Sequence, residues 1–352
     1  MTRTLMKGNE ALAEAAIRGG CTHFFGYPIT PQNEIPEYLA RELPERGGVF
    51  LQAESEIASI HMVYGAAAAG GRVMTSSSSP GIALMQEGIS MLASAELPCV
   101  IVNMQRGGPG IGGIQPAQAD YYQMTRGGGN GDYRVLSYAP STIQESVEMM
   151  QEAFEKADQY RTPVFIVGDG MLGQMMEPVD FSHASKRKQN RKKGWVADGN
   201  RQGREKNIVK TLFLDPKALE HQNQQLQNKY QRIVANETRY SREGPIDAEI
   251  VLVAYGSTAR IVNSARELLQ THGIRAQLIR PQTLWPFPVA PFGEIDTGCQ
   301  VICVEMSEGQ MVDDVRLAVN GKVAVSFLGR SGGMIPAPAD IANFAKKVLG
   351  GR

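Results

Sequence analysis

Four segments carry side chains that could do chemistry, and each interrupts an apolar run. Phe24-Phe25-Gly26-Tyr27-Pro28-Ile29-Thr30-Pro31 starts as a buried strand and breaks at two prolines that bracket Thr30. Proline cannot donate a ladder hydrogen bond, and it drives the residue before it out of the helical region. Thr30 is therefore expected to be extended at a strand's C-terminal end, where open α/β sheets bind ligands. An ordinary strand-to-helix turn is the alternative. In Gln52-Ala53-Glu54-Ser55-Glu56, the last residue shares a helical face with Ile60, Val63, Tyr64 and Ala67. A carboxyl on an apolar face loses hydration and holds its proton more tightly. Such a group suits protonation of, or hydrogen bonding to, a heterocycle nitrogen. A first-turn carboxylate complementing the helix dipole is equally compatible with these residues.

Thr75-Ser76-Ser77-Ser78-Ser79-Pro80-Gly81 follows a strand and opens a helix. It offers hydroxyls and free N–H groups to an anion or a polar cofactor edge, or it is simply a generous N-cap. Arg106-Gly107-Gly108-Pro109-Gly110-Ile111-Gly112-Gly113 contains GxGxxG, but no helix starts in this loop. Nicotinamide binding is therefore disfavoured. Arg106 is the one charge in the loop and suits bidentate grip of a substrate carboxylate, with glycines allowing close approach. Gly168-Asp169-Gly170, with Asn200 some way on, imitates a metal–diphosphate motif. The stretch before Asn200 is basic and lacks a strand–helix unit, so Asp169 is read as a turn residue and no metal site is assigned.

The elements that must hold these groups alternate. Helices are expected from Asn9 as cap to Arg18, over Glu34 to Leu43, Ser55 to Ala69, Pro80 to Ala95, and from Ser141 as cap to Tyr160. Strands are expected at Thr22–Phe25, Val49–Gln52, Arg72–Thr75, Pro98–Met104 and Val164–Val167. This is the βα alternation of a doubly wound parallel sheet over residues 1–180. Residues 181–245 read as a basic and polar linker. It holds Lys186, Arg187, Lys188, Arg191, Lys192 and Lys193, and a connecting helix from Pro216 to Glu237. A second, smaller α/β unit occupies 246–352, with strands at Glu249–Ala254, Arg275–Ile279 and Val301–Val304 around a helix from Ala259 to Thr271.

The 352 residues carry 36 basic and 36 acidic side chains, a balance that argues against nucleic acid or a membrane surface as partner. No run of apolar residues is long enough to span a bilayer. Glu10 and Glu14 interrupt the first apolar stretch, so it is no signal peptide. Cys21, Cys99, Cys299 and Cys303 form no CxxC pair and sit in apolar runs. They read as buried free thiols of a reducing cytoplasm, not as iron–sulfur ligands.

Tyr27-Pro28-Ile29-Thr30-Pro31, then Ser55-Glu56, then Arg106 in its glycine loop, in this order and spacing, resembles the α subunit of the 2-oxoacid:ferredoxin oxidoreductases. Gln32-Asn33-Glu34-Ile35-Pro36-Glu37 and Gly168-Asp169-Gly170-Met171-Leu172-Gly173-Gln174 look most like the branched-chain (2-oxoisovalerate) type. The resemblance implies a thiamine diphosphate pyrimidine-binding domain followed by a transketolase-C-terminal-like domain. A separate β subunit would supply the diphosphate and Mg²⁺ site, and partner chains the [4Fe–4S] clusters. Carried over position by position, Glu56 would hydrogen-bond the aminopyrimidine, and Thr30 and Arg106 would hold the substrate's keto and carboxylate groups. Tyr27, Pro28, Ile29 and Ser76, Ser77, Ser78 and Ser79 would line the cofactor pocket. The implied reaction is CoA-dependent oxidative decarboxylation of a 2-oxo acid, with ferredoxin as acceptor. A 2-oxoglutarate enzyme would need a second cation, for which Arg126 or Arg134 is available. A non-oxidative thiamine decarboxylase subunit is a further alternative.

Overall fold

The computed structural model describes residues 3–182, 193–199, 203 and 205–350. In its first half the strands are β1 (Thr4–Lys7), β2 (His23–Gly26), β3 (Val49–Gln52), β4 (Val73–Ser77), β5 (Cys99–Gln105), β6 (Leu136–Tyr138), β7 (Pro163–Asp169) and β8 (Met176–Val179). The second half adds β9 (Tyr240–Glu243), β10 (Ile250–Val253), β11 (Ala276–Pro281), β12 (Thr283–Trp285), β13 (Gln300–Glu305) and β14 (Val325–Gly329). Seven strands form one sheet in the order β12-β6-β7-β5-β4-β2-β3, parallel except for β12.

The central strands β5 (CVIVNMQ) and β7 (PVFIVGD) are buried along their whole length. Near-continuous apolar runs are what a parallel strand needs when helices cover both faces. On one face the Glu56–Ala68 and Ser79–Ser94 helices contribute Ile60, Val63, Ile82 and Met85 to the core. On the other, the Gly8–Arg18, Glu34–Glu45 and Ile143–Tyr160 helices contribute Leu12, Leu39, Val147 and Phe154. The sheet is therefore doubly wound, as the alternation predicts, and its C-terminal edge collects the loops after β2, β3, β4, β5 and β7. The second sheet, β14-β13-β10-β11-β9, is parallel apart from its edge strand β9.

Several local expectations change. Asn9 caps nothing: the helix starts one residue earlier, and Asn9 is fully buried within its first turn. The Ile143–Tyr160 helix is capped by Thr142, whose hydroxyl accepts from Glu145 N–H at 3.1 Å. Ser141 instead donates its own N–H and hydroxyl to the Glu145 carboxylate at 2.9 and 3.0 Å. The expected linker is only partly one. The Pro216–Glu237 helix lays Leu226, Tyr230 and Ile233 into the first core, and buried Lys229 reaches Glu96 at 3.2 Å. Tyr240–Glu243 already belongs to the second sheet. Of the basic cluster, Lys193 pairs with Asp158 at 2.6 Å. Lys186, Arg187, Lys188, Arg191, Lys192 and Asn200 lie outside the described residues.

The division at 246 is not clean in space either, because β12 leaves the second unit and pairs antiparallel with β6. Arg280, at the end of β11, forks onto Glu145 of the first unit at 2.7 and 2.9 Å. The four cysteines are buried and, among the described residues, form no disulfide. No helix among the described residues is long and apolar enough to cross a membrane.

Candidate active site

Five loops at the C-terminal edge of the first sheet bring the predicted residues together. After β2 the chain bends through exposed Tyr27 and Pro28, half-buried Ile29 and Thr30, and buried Pro31. Side chains hold this loop from three sides. Asn9 donates to the Pro31 carbonyl at 2.8 Å, Gln174 reaches the same oxygen at 3.3 Å, and Gln32 reaches the Tyr27 carbonyl at 3.3 Å. Ser76 in turn donates to Gln32 at 2.5 Å.

Arg106 follows β5 directly and is buried. Its Nη1 donates to the Thr30 carbonyl at 3.0 Å and its Nη2 to the Ile111 carbonyl at 2.9 Å, while Nε is buried without a partner among the described residues. An unsatisfied guanidinium N–H in the interior is costly, and an incoming carboxylate would satisfy it. The loop it pins returns on itself at Gly112. There φ is 58° and an added Cβ would lie 1.8 Å from the Gly107 carbonyl oxygen.

Glu56 begins the helix after β3, with Ser55 as N-cap accepting from Ala58 N–H at 3.2 Å. It is buried, and among the described residues its carboxylate has no hydrogen-bond partner. The carboxylate leans on the bare face of Gly81, where an added Cβ would stand 2.4 Å from Glu56 Oε1 and 2.0 Å from Ser77 Oγ. The buried hydroxyls of Thr75, Ser77 and Ser78 also lack partners. So the serine run divides. Ser77 and Ser78 keep free hydroxyls, whereas Ser76 and Ser79 are engaged within the fold.

Ser79 joins the two halves of the site. Its hydroxyl donates to Asp120 at 2.5 Å and lies 3.0 Å from the Arg106 N–H, from which it accepts. Asp120 also accepts from Asn103 at 3.0 Å. Burial raises the Asp120 carboxyl above the usual range, against the pull of those two donors. Composition gives no sign of this residue, since it sits in an irregular loop.

A cavity of about 540 Å³ opens beside Thr30, lined also by Glu34, Ile114, Pro116, Met171, Gln174 and, from the second unit, Ile335. Burial pushes the Glu34 carboxyl up, but hydrogen bonds from Asn9 and Gln174 and the charge of Lys7 hold it below its usual value. Neither arginine considered for a second substrate carboxylate lines this cavity. Arg126 forks onto Asp314 at 3.0 and 3.2 Å, and Arg134 borders a groove against the Pro216–Glu237 helix. Asp169, read as a turn residue, caps the short Gly170–Gln174 helix, accepting from Met171 and Leu172 N–H at 2.9 and 3.2 Å. Its other oxygen accepts from Ser257 of the second unit. Among the described residues no cluster of His, Cys, Asp and Glu could hold a metal ion.

Two family models match the chain. Residues 14–241 match "Pyruvate flavodoxin/ferredoxin oxidoreductase, thiamine diP-bdg", and 248–341 match "Pyruvate:ferredoxin oxidoreductase core domain II". The ketoisovalerate oxidoreductase subunit VorB of Methanothermobacter thermautotrophicus is 48% identical over 99% of both chains. The 2-oxoglutarate synthase subunit KorA of Methanocaldococcus jannaschii is 36% identical over 96% of this chain and 97% of its own. A solved 2-oxoglutarate:ferredoxin oxidoreductase from Magnetococcus marinus superposes with a TM-score of 0.88 at 29% identity, covering 99% of this chain and 65% of that one. A split-gene transketolase at 15% identity and a TM-score of 0.62 shares the fold. With the two models covering residues 14–241 and 248–341 and a full-length relative at this identity, the chain belongs to the 2-oxoacid:ferredoxin oxidoreductases, an enzyme family in which it stands as one subunit of a multi-chain assembly.

Proposed function

We propose that this chain is the α subunit of a thiamine diphosphate-dependent oxidoreductase that converts 3-methyl-2-oxobutanoate and CoA to the acyl-CoA and CO₂, passing electrons singly to ferredoxin. Arg106 carries this reading: it is a buried guanidinium with an unpartnered Nε, tied to Thr30 at the mouth of a cavity. It binds the substrate carboxylate, and the Thr30 hydroxyl donates to the keto oxygen.

The residues fit the cofactor. The buried Glu56 carboxylate stands beside hydroxyls that have no partner among the described residues and the bare Gly81 face, which suits a flat polar heterocycle. Glu56 would hydrogen-bond the aminopyrimidine nitrogen, and Tyr27, Pro28, Ile29 and the Ser76–Ser79 run would line the cofactor pocket. When bound, thiamine diphosphate supplies the electron sink for decarboxylation. The diphosphate and Mg²⁺ are held by a β subunit, and the [4Fe–4S] clusters by partner chains. Four buried cysteines with no disulfide among the described residues fit a cytoplasmic setting, and branched-chain amino-acid breakdown in anaerobic metabolism would produce this substrate.

The branched side chain is favoured over 2-oxoglutarate by the cavity itself. Its apolar lining includes Ile114, Pro116, Met171 and Ile335, beside polar Asn33, Gln115 and Gln174; neither Arg126 nor Arg134 lines it, and Glu34 would repel a second carboxylate. The test is anaerobic purification of the complex from its native host through a tag on this chain. CoA-dependent viologen reduction is then followed with 2-oxoisovalerate, pyruvate, 2-oxoglutarate and indolepyruvate. Fastest turnover with 2-oxoisovalerate is expected. Preference for 2-oxoglutarate overturns the substrate, CoA-independent decarboxylation without viologen reduction overturns the oxidative chemistry, and no activity overturns the whole reading.

A further inference from the structure

We propose that Asp169 is a positioning residue: its carboxylate ties Ser257, at the head of the second unit's Gly256–Thr271 helix, to the short helix that holds the Thr30 loop in place. The inference rests on the reading of Thr30 and Arg106 as substrate-binding groups, and it assigns the second unit a part in that grip.

Asp169 is the last residue of β7 and lies opposite Gln105, the residue before Arg106, on neighbouring β5. It is buried, and each of its oxygens has a separate task. Oδ1 accepts from the N–H groups of Met171 and Leu172, which fixes the direction of the Gly170–Gln174 helix. Oδ2 accepts from the Ser257 hydroxyl. The helix so capped sends Gln174 to the Pro31 carbonyl at 3.3 Å and to Glu34 at 2.9 Å, and Met171 into the cavity wall. Pro31 follows Thr30, whose carbonyl receives Arg106 Nη1. A continuous series of polar contacts therefore runs Ser257–Asp169–Met171/Leu172, then along one helical turn to Gln174–Pro31, and ends at Thr30–Arg106. The second unit is held nearby by further contacts. Gln118 accepts from Thr258 at 2.7 Å and from Met306 N–H at 3.1 Å. Loss of the Ser257 hydroxyl thus removes one tie while leaving the seat of the two units otherwise intact. A carboxylate buried at a junction costs desolvation, and burial does raise its pKa. Its retention is understandable if both of its contacts are used.

The test is steady-state kinetics on the assembled complex carrying Ser257→Ala, Ser257→Thr, Gln174→Ala, or Ser257→Ala with Gln174→Ala. Ser257→Ala is expected to raise the KM for the 2-oxo acid about tenfold, the loss of one hydrogen bond to a charged group, with kcat and the KM for CoA within about twofold. Ser257→Thr restores the wild-type KM. Gln174→Ala raises the same KM, and the double variant is no worse than the poorer single, because both act on one loop. An unchanged KM in Ser257→Ala, or additive effects in the double variant, overturns the proposal. So does a fall in kcat and Tm with KM unmoved, which is the mark of a merely structural role. If the wild-type complex oxidises no 2-oxo acid, the functional reading falls and takes this inference with it; if the wild type is active and the variants match it, the inference falls alone.

Discussion

Arg106 Nη1 donates to the carbonyl oxygen of Thr30 at 3.0 Å, so the residue proposed to grip the substrate carboxylate also fixes the loop that carries the proposed keto-oxygen donor. The two groups are 76 positions apart in sequence and meet because β2 and β5 end at the same edge of one sheet. Arg106→Lys keeps the charge but loses the planar fork that can serve Thr30, Ile111 and a carboxylate together. Its kcat/KM for the 2-oxo acid is expected to fall about tenfold to a hundredfold, mostly through KM. Equal KM values for wild type and Arg106→Lys would remove Arg106 from the binding site.

Glu56→Gln preserves size and burial but cannot deliver a proton as a carboxyl does. Turnover is expected to fall about 10²–10⁴-fold, as for the loss of a general acid–base group. Partner subunits should still co-purify, because Glu56 makes no hydrogen bond within the described chain. Retained turnover would assign Glu56 to the helix dipole alone.

Gly81→Ala tests the contact between the serine run and Glu56. Alanine is the better helix former, yet its Cβ would stand 2.0 Å from Ser77 Oγ and 2.4 Å from Glu56 Oε1. Both side chains must move, at a cost of about 1–3 kcal/mol. Activity should fall by more than the shift in Tm explains. A fully active Gly81→Ala complex would show that Glu56 needs no fixed position.

Asp120 gives the stability a pH dependence of defined sign. Burial holds its folded pKa above the ordinary aspartate value of 3.8. The folded state therefore binds this proton more tightly than the unfolded chain does. The stabilising contribution is complete below pH 3.8 and is lost as pH rises through the elevated folded pKa. Asp120→Asn removes the titration, and Asn103 Oδ1, buried without a partner, is available to the new amide. Melting temperatures measured from pH 7 downwards should show wild type gaining on Asp120→Asn as the pH falls. A constant difference would mean that Asp120 titrates alike in both states.

Much of the scaffold is legible from residue pattern, for identifiable reasons. The strands around Val100–Met104 and Val164–Val167 read as near-continuous apolar runs because helices cover both sides of the sheet. Glu56 stands out because a carboxyl shares a face with Ile60 and Val63. Arg106 stands out as a lone charge among glycines. What stays hidden depends on partners distant in sequence. Asn9 looks like a cap because asparagine favours caps, but its amide serves Pro31 and Glu34. Ile335 shows no local signal for a cavity whose other lining residues come from the first unit. Strand β12 is three residues long and followed directly by Pro286, too short for any period to show.

Strand β12 also bears on how the protein is made. Leu136–Tyr138 is left with one neighbour, β7, until Thr283–Trp285 arrives to pair with its free side. During synthesis the N-terminal sheet therefore waits, unfinished, while more than a hundred further residues are translated. An unpaired edge in a nascent chain is a template for strands of other chains. A chain split between the two family models would leave that edge unpaired until the second piece bound it.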